Sequence, residues 1–184
     1  MGKSKSGLFI APDVDSDMPL YLVLPYCGDP FAWSRLRDML IPLVEEKPGV
    51  IMVPEVENLG GSEYLLEDPT SVSQFIQYAV QNLPVNPDSI YLVGMECNGK
   101  SVLDYAKNSV FSVLGLIPFN PRVPSVGIGD FGGYPDLPVC LCSGSIHPDR
   151  TIHESIVSEI NQSYGKAWLN TLEGTGDEIF VNGM

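Results

Sequence analysis

The chain has 184 residues, enough for a single domain that buries its own core, and 44% of them are hydrophobic, which excludes a disordered protein. Lys and Arg number 10 against 23 Asp and Glu, and a formal charge of -13 excludes the basic face of a nucleic-acid binder. No apolar run approaches a membrane span and the N-terminus lacks the apolar core of a secretory signal, so a cytoplasmic protein, or part of an assembly formed in the cytosol, is expected.

Residues 1–18 read as a flexible, solvated tail and residues 19–184 as one domain. Gly2 and Ser6 fit the loose M-G-x-x-x-S acylation pattern, but Asp13, Asp15 and Asp17 follow instead of a basic patch. Leu20 to Leu24 is a continuous apolar run of the kind that forms a buried parallel strand. Asp29-Pro30 resembles a helix start, and Trp33, Leu36, Leu40 and Leu43 recur at helical spacing beyond it. Gly49 to Val53 is a second strand. Asp68-Pro69 opens a helix whose inward stripe is Val72, Phe75, Ile76, Ala79, Val80 and Leu83.

A third strand spans Ser89 to Gly94, followed by a helix from about Asn98 to Lys107. Phe111 to Ile117 and Pro138 to Cys142 are further strands, separated by a Gly- and Pro-rich surface excursion over 121–136. Thr151 to Tyr164 is a helix with Ile152, Ile156 and Ile160 inward, leaving His153 as an exposed polar position, and Ala167 to Leu172 is the last strand. Six strands alternating with helices predict an α/β fold: a doubly wound, mainly parallel sheet with active groups at the carboxyl ends of its strands. Cys27, Cys97, Cys140 and Cys142 lie in or beside these strands as free, packed thiols. With no C-x-x-C pair and no spaced histidines, no metal site and no cofactor is expected.

The segment Ser89-Ile-Tyr-Leu-Val-Gly-Met-Glu-Cys-Asn-Gly-Lys-Ser101 fits two motifs at once. A strand, a Gly-bounded turn and a helix form the setting of a nucleophile elbow, G-x-S-x-G, with Glu96 where the nucleophile belongs. The same residues spell a P-loop, G-x4-G-K-S, in which Gly94 and Gly99 shape an anion cradle, Lys100 neutralises phosphate and Ser101 ligates Mg2+. Against the P-loop, no later strand ends in the Asp of a Walker-B motif, and Glu96 and Asp104 bring negative charge close to the phosphate position.

Val85-Asn-Pro-Asp-Ser-Ile-Tyr-Leu-Val-Gly94 resembles the approach to the nucleophile in small α/β-hydrolase-fold esterases of the carboxylesterase, dienelactone-hydrolase and polyhydroxybutyrate-depolymerase kind. The order of elements is similar over roughly residues 19 to 180. Leu24-Pro-Tyr-Cys-Gly-Asp-Pro-Phe-Ala-Trp33 takes the place of the family's oxyanion loop, Gly144-Ser-Ile-His-Pro148 that of its acid loop, and Leu172-Glu-Gly-Thr-Gly-Asp-Glu-Ile-Phe180 that of its histidine loop. The resemblance implies a reduced three-layer sandwich. Carried over position by position, the nucleophile becomes Glu96, the acid His147 and the histidine Asp177. Asn98 replaces the elbow's second glycine, and Tyr26-Cys27 replaces the oxyanion loop's His-Gly pair.

A carboxylate is a poor acyl-transfer nucleophile, so the resemblance implies a catalytically degenerate esterase-like domain. Its expected role is that of a binding, scaffold or assembly component that meets a protein partner or a small ligand in the cleft. Two alternatives remain. One is a hydrolase in which the elbow shifts by one residue, with Cys97 as nucleophile, His147 as base and Asp177 as orienter. The other is nucleotide binding through Gly94, Gly99, Lys100 and Ser101.

Overall fold

A computed structural model describes residues 5–10, 17–25, 49–55, 69–108, 111–123, 136–163 and 165–176. The helix expected after Asp29-Pro30 and most of the 121–136 excursion lie outside the described residues, as does Asp177.

The described strands are β1 (Lys5–Ile10), β2 (Met18–Leu24), β3 (Val50–Glu55), β4 (Val85–Met95), β5 (Gly115–Phe119), β6 (Pro138–Gly144) and β7 (Lys166–Leu172). The described helices are α1 (Pro69–Asn82), α2 (Cys97–Asn108) and α3 (Arg150–Gln162). The strands form one sheet in the order β1-β3-β2-β4-β5-β6-β7. Strands β2 to β7 run parallel, whereas β1 pairs antiparallel with β3. The parallel α/β sheet expected from the alternating apolar runs is therefore present, and residues 5–10, expected in a tail, add an edge strand to it.

Buried parallel strands read as apolar runs because helices cover them. Leu20, Leu22 and Leu24 of β2, Ile90 and Leu92 of β4, Leu116 of β5, and Val139 and Leu141 of β6 share one face and are fully or almost fully buried. All three described helices pack there: Val72, Phe75, Ile76 and Ala79 from α1, Val102, Leu103 and Tyr105 from α2, and Ile156 and Ile160 from α3. The Tyr105 hydroxyl lies 3.3 Å from that of Ser73, tying α2 to α1. On the opposite face Val23, Ile51, Val53, Val93 and Met95 form a smaller cluster. No helix among the described residues is long and apolar enough to cross a membrane.

Two strand boundaries differ from expectation. Strand β4 begins at Val85 rather than Ser89: Met18 pairs with Val85 and Leu20 with Ile90, so residues 86–89 bulge out of the ladder around Pro87, which has no N–H to donate. Strand β5 starts at Gly115 and runs through Pro118 to Phe119, because the register Tyr91–Gly115 to Met95–Phe119 continues past the proline. Phe111 to Leu114 form its lead-in.

The chain order reverses across β2 and β4. The crevice between their carboxyl ends is where open α/β sheets place their active groups. There, Gly94 of β4 passes so close to α2 that an added Cβ would stand 2.2 Å from the Asn98 carbonyl oxygen and 2.6 Å from Val102. Both neighbours are fixed, one by backbone and one by core packing. We predict that Gly94→Ala destabilises the fold by about 3 kcal/mol or more, or prevents folding. Urea denaturation with an unchanged midpoint would contradict this.

Candidate functional site

Strand β4 ends at Met95 and α2 begins at Cys97, so a single residue, Glu96, turns the chain from strand to helix. It does so at φ 49°, the left-handed region that L-residues enter only at a cost of roughly 1–2 kcal/mol. Three backbone hydrogen bonds hold it there. The Glu96 N–H donates to the Phe119 carbonyl at 2.8 Å, and its own carbonyl accepts from Gly99 at 2.9 Å and Arg122 at 3.0 Å. This is the backbone geometry of an elbow, with a carboxylate at its tip.

The Glu96 side chain is only 5% exposed, and its Oε2 lies 2.9 Å from a terminal nitrogen of Arg122, a side chain 60% exposed. The charge is thus balanced by a cation reaching in from the rim. At the position after Cys97, Asn98 is almost fully buried, and its side-chain amide donates to the Pro25 carbonyl at the end of β2. The pair at the switch point is joined by that bond.

The described backbone of the segment is not an open phosphate cradle, which weighs against the nucleotide-binding alternative. Gly94 and Met95 belong to β4, and α2 is already under way at Cys97, so no open loop of free N–H groups spans Gly94 to Gly99. The N–H groups of Glu96 and Gly99 are taken by backbone carbonyls, Lys100 pairs with Asp104 one helical turn on, and Ser101 is buried. Among the described residues, no group of three His, Cys, Asp or Glu is placed to hold a metal ion.

Cys97 is disulfide-bonded, whereas Cys140 and Cys142 are free thiols. The expectation that all four cysteines are free is thereby corrected. In this state the Cys97 sulfur is not a thiolate and is not available as the nucleophile of a Cys97/His147/Asp177 set. The buried Cys142 thiol is pushed up to about 12, chiefly by desolvation.

His147 lies in the turn after β6 and is buried. Its Nδ1 accepts the Asp149 N–H at 3.0 Å, so the neutral ring carries its proton on Nε2. The acid-position and histidine-position loops lie side by side over their described residues. Ser145 and Ile146 donate to the carbonyls of Leu172 and Thr175, each at 3.0 Å, and the Gly174 N–H donates to Ser145 Oγ. Asp177, two residues past Thr175, lies outside the described residues.

Three residues to which the sequence assigned no role in the site organise this rim. Asn120, at φ 40°, donates from its backbone to Cys142, accepts the Gly144 N–H on its side-chain oxygen at 3.1 Å, and donates to the Gly176 carbonyl at 3.3 Å. His153 is fully buried, not exposed as expected. Its Nε2 donates to the Pro121 carbonyl at 3.1 Å, which leaves Nδ1 to accept from Ser143 Oγ at 2.8 Å. Position 153 lies three and seven residues before Ile156 and Ile160, on their face of α3, and that spacing was the available signal. Arg122 had none, because it pairs across the fold.

Neither a family model nor any curated protein sequence matches this chain. Solved structures do. Esterase PE8 aligns with a TM-score of 0.73 at 15% identity, over 96% of this chain and 92% of that one. An arylesterase aligns at 0.71 and 11% identity over 98% and 79%, and an esterase from Pyrobaculum calidifontis at 0.69 and 13% over 91% and 71%. The chain has the α/β-hydrolase fold of these esterases, as the approach to Gly94 implied.

Burial holds the His153 pKa down to about 4 from an ordinary 6.5, opposed by its bond to Pro121. Between those values the unfolded chain binds this proton and the folded chain does not, so stability is complete above pH 6.5 and declines as pH falls towards 4. We predict that urea midpoints drop between pH 6.5 and 5, and that His153→Gln flattens this slope. An equal slope in both proteins would contradict the assignment. We further predict that millimolar ATP with Mg2+ leaves the melting temperature unchanged; a shift abolished by Lys100→Ala would restore the P-loop.

Proposed function

We propose that this chain is an esterase-like domain without esterase chemistry, acting as a binding, scaffold or assembly component. The observation that carries the reading is Glu96 at the tip of the strand–helix turn, buried and ion-paired with Arg122. Acyl transfer needs a nucleophile that adds to a carbonyl and a base that takes its proton. A carboxylate is weakly nucleophilic towards esters, and the Arg122 guanidinium withdraws electron density from it further.

The surrounding groups support the same reading. The His147 Nδ1 lone pair is occupied by the Asp149 N–H, and the neutral ring's other nitrogen bears a proton, so the ring offers no ready acceptor. The Cys97 sulfur is held in a disulfide. That bond fits an oxidising compartment better than the cytosol that composition pointed to. What the crevice retains is shape and a cation at its rim, features that serve binding by a protein partner or a small ligand.

The test is hydrolysis of p-nitrophenyl acetate and butyrate together with labelling by a serine-directed fluorophosphonate. We predict turnover no greater than that of the denatured protein, and no labelling. Turnover that Glu96→Gln abolishes would sink the proposal. Turnover that appears on reduction and is lost in both Cys97→Ala and His147→Ala would establish the rearranged set instead. Glu96→Ser alone is expected to remain inactive.

A further inference from the structure

Among the described strands the sheet has two borders, β1 on one side and β7 on the other. Along a strand, successive residues turn their N–H and C=O groups to opposite sides. Leu172 accepts the Ser145 N–H at 3.0 Å, just past the end of β6, so Trp168, Asn170 and Leu172 turn theirs towards β6. Ala167, Leu169 and Thr171 turn theirs outward. The Asn161 side chain meets the Ala167 pair: its Oδ1 accepts the N–H at 2.9 Å and its Nδ2 donates to the carbonyl at 2.8 Å. Among the described residues, no group meets the outward N–H and C=O of Leu169 and Thr171. Proteins guard such an edge with a lysine, a proline, a bulge or a covering segment. Here the guard stops at the start of the strand, with Lys166 and the Asn161 cap. From Ala167 to Leu172 there is no charge and no proline, and the register with β6 runs unbroken. Trp168, 51% exposed, and Asn170, also exposed, alternate along that stretch.

We propose that β7 pairs with β7 of a second copy of this chain, antiparallel about a two-fold axis at Asn170, so that two sheets join into one. The unmet groups select the register. Leu169 faces Thr171 of the second copy and exchanges both N–H···O bonds with it, and the two-fold repeats the exchange. Every unmet group of both edges is then satisfied. Trp168 stands opposite Leu172 of the second copy, in a non-hydrogen-bonded pair where side chains approach most closely. The ladder ends at Ala167, where Asn161 already occupies the edge. The same register brings exposed Glu173 beside exposed Lys166 of the second copy, opposite charges at each end of the pair. One short stretch thus supplies both halves of the contact, which favours a second copy over an unrelated strand, and an isologous pair of this kind closes at two. Each copy carries a net charge of -13, none of it between Ala167 and Leu172, so salt that screens the long-range repulsion tightens the pair.

The experiment is sedimentation equilibrium of the whole chain at micromolar concentrations. The expected result is a dimer that strengthens as NaCl rises. Thr171→Pro removes an outward N–H without touching the ladder to β6, and is expected to weaken the dimer about tenfold or more. Thr171→Ala loses the hydroxyl that Arg150 reaches at 2.9 Å but keeps the N–H, and is expected to stay dimeric. Trp168→Lys, which places a charge on the edge, is expected to be monomeric. Circular dichroism and thermal melting establish that each variant is folded, and Trp168→Lys carries the test if Thr171→Pro is not. The proposal is overturned if the protein is monomeric at about 100 μM, a concentration well above a micromolar dissociation constant. It is overturned equally if the folded edge variants remain dimeric, if Thr171→Ala dissociates as readily as Thr171→Pro, or if species larger than a dimer accumulate.

Discussion

One turn, made by one residue, sets the geometry of the carboxyl rim. Strand β4 passes directly into α2 at Glu96, so the helix axis must fold back across the strand it has just left. That is sterically allowed only because Gly94 presents no Cβ to Asn98 and because Glu96 accepts a left-handed backbone. Once the turn is made, its three backbone hydrogen bonds reach β5 through Phe119, the first turn of α2 through Gly99 and the following loop through Arg122. The strain at Glu96 is thus offset by bonds to three separate segments.

Polar side chains then fasten the remaining loops to that turn. Asn98 holds the end of β2, Asn120 links β6 to the loop after β7, and His153 joins Ser143 to Pro121. Each is buried, so each costs free energy unless its donors and acceptors are met. Among the described residues, no buried side-chain nitrogen or oxygen lacks a partner. A rim in which every such group is satisfied is rigid, and rigidity favours selective binding as much as it favours catalysis.

Much of the fold was legible because burial on both faces writes itself into the sequence as unbroken apolar runs. Leu20 to Leu24 and Pro138 to Cys142 are such runs, and both are strands. The stripe Val72, Phe75, Ile76 and Ala79 was equally plain, since a helix packed on a sheet repeats its apolar contacts at 3.6 residues. Pro118 concealed the end of β5, and Pro87 the start of β4, because proline ordinarily stops a strand. The site was half legible. The turn at Glu96 was visible from its flanking glycines, and the backbone geometry bears it out. The Arg122 pair, the Asn120 clamp and the burial of His153 were not visible, for each depends on which distant loops meet in space.

The strand at residues 5–10 bears on how the molecule is assembled. It precedes the other described strands in the chain, yet among them it pairs with β3 alone, which follows some forty residues later and is itself flanked by β2 on its other side. Its pairing is antiparallel, a reversal that the βαβ order of the rest does not require. In chain order, then, the strand that borders β3 comes before the border it seals. An edge strand added in this way shields β3 from pairing with another chain.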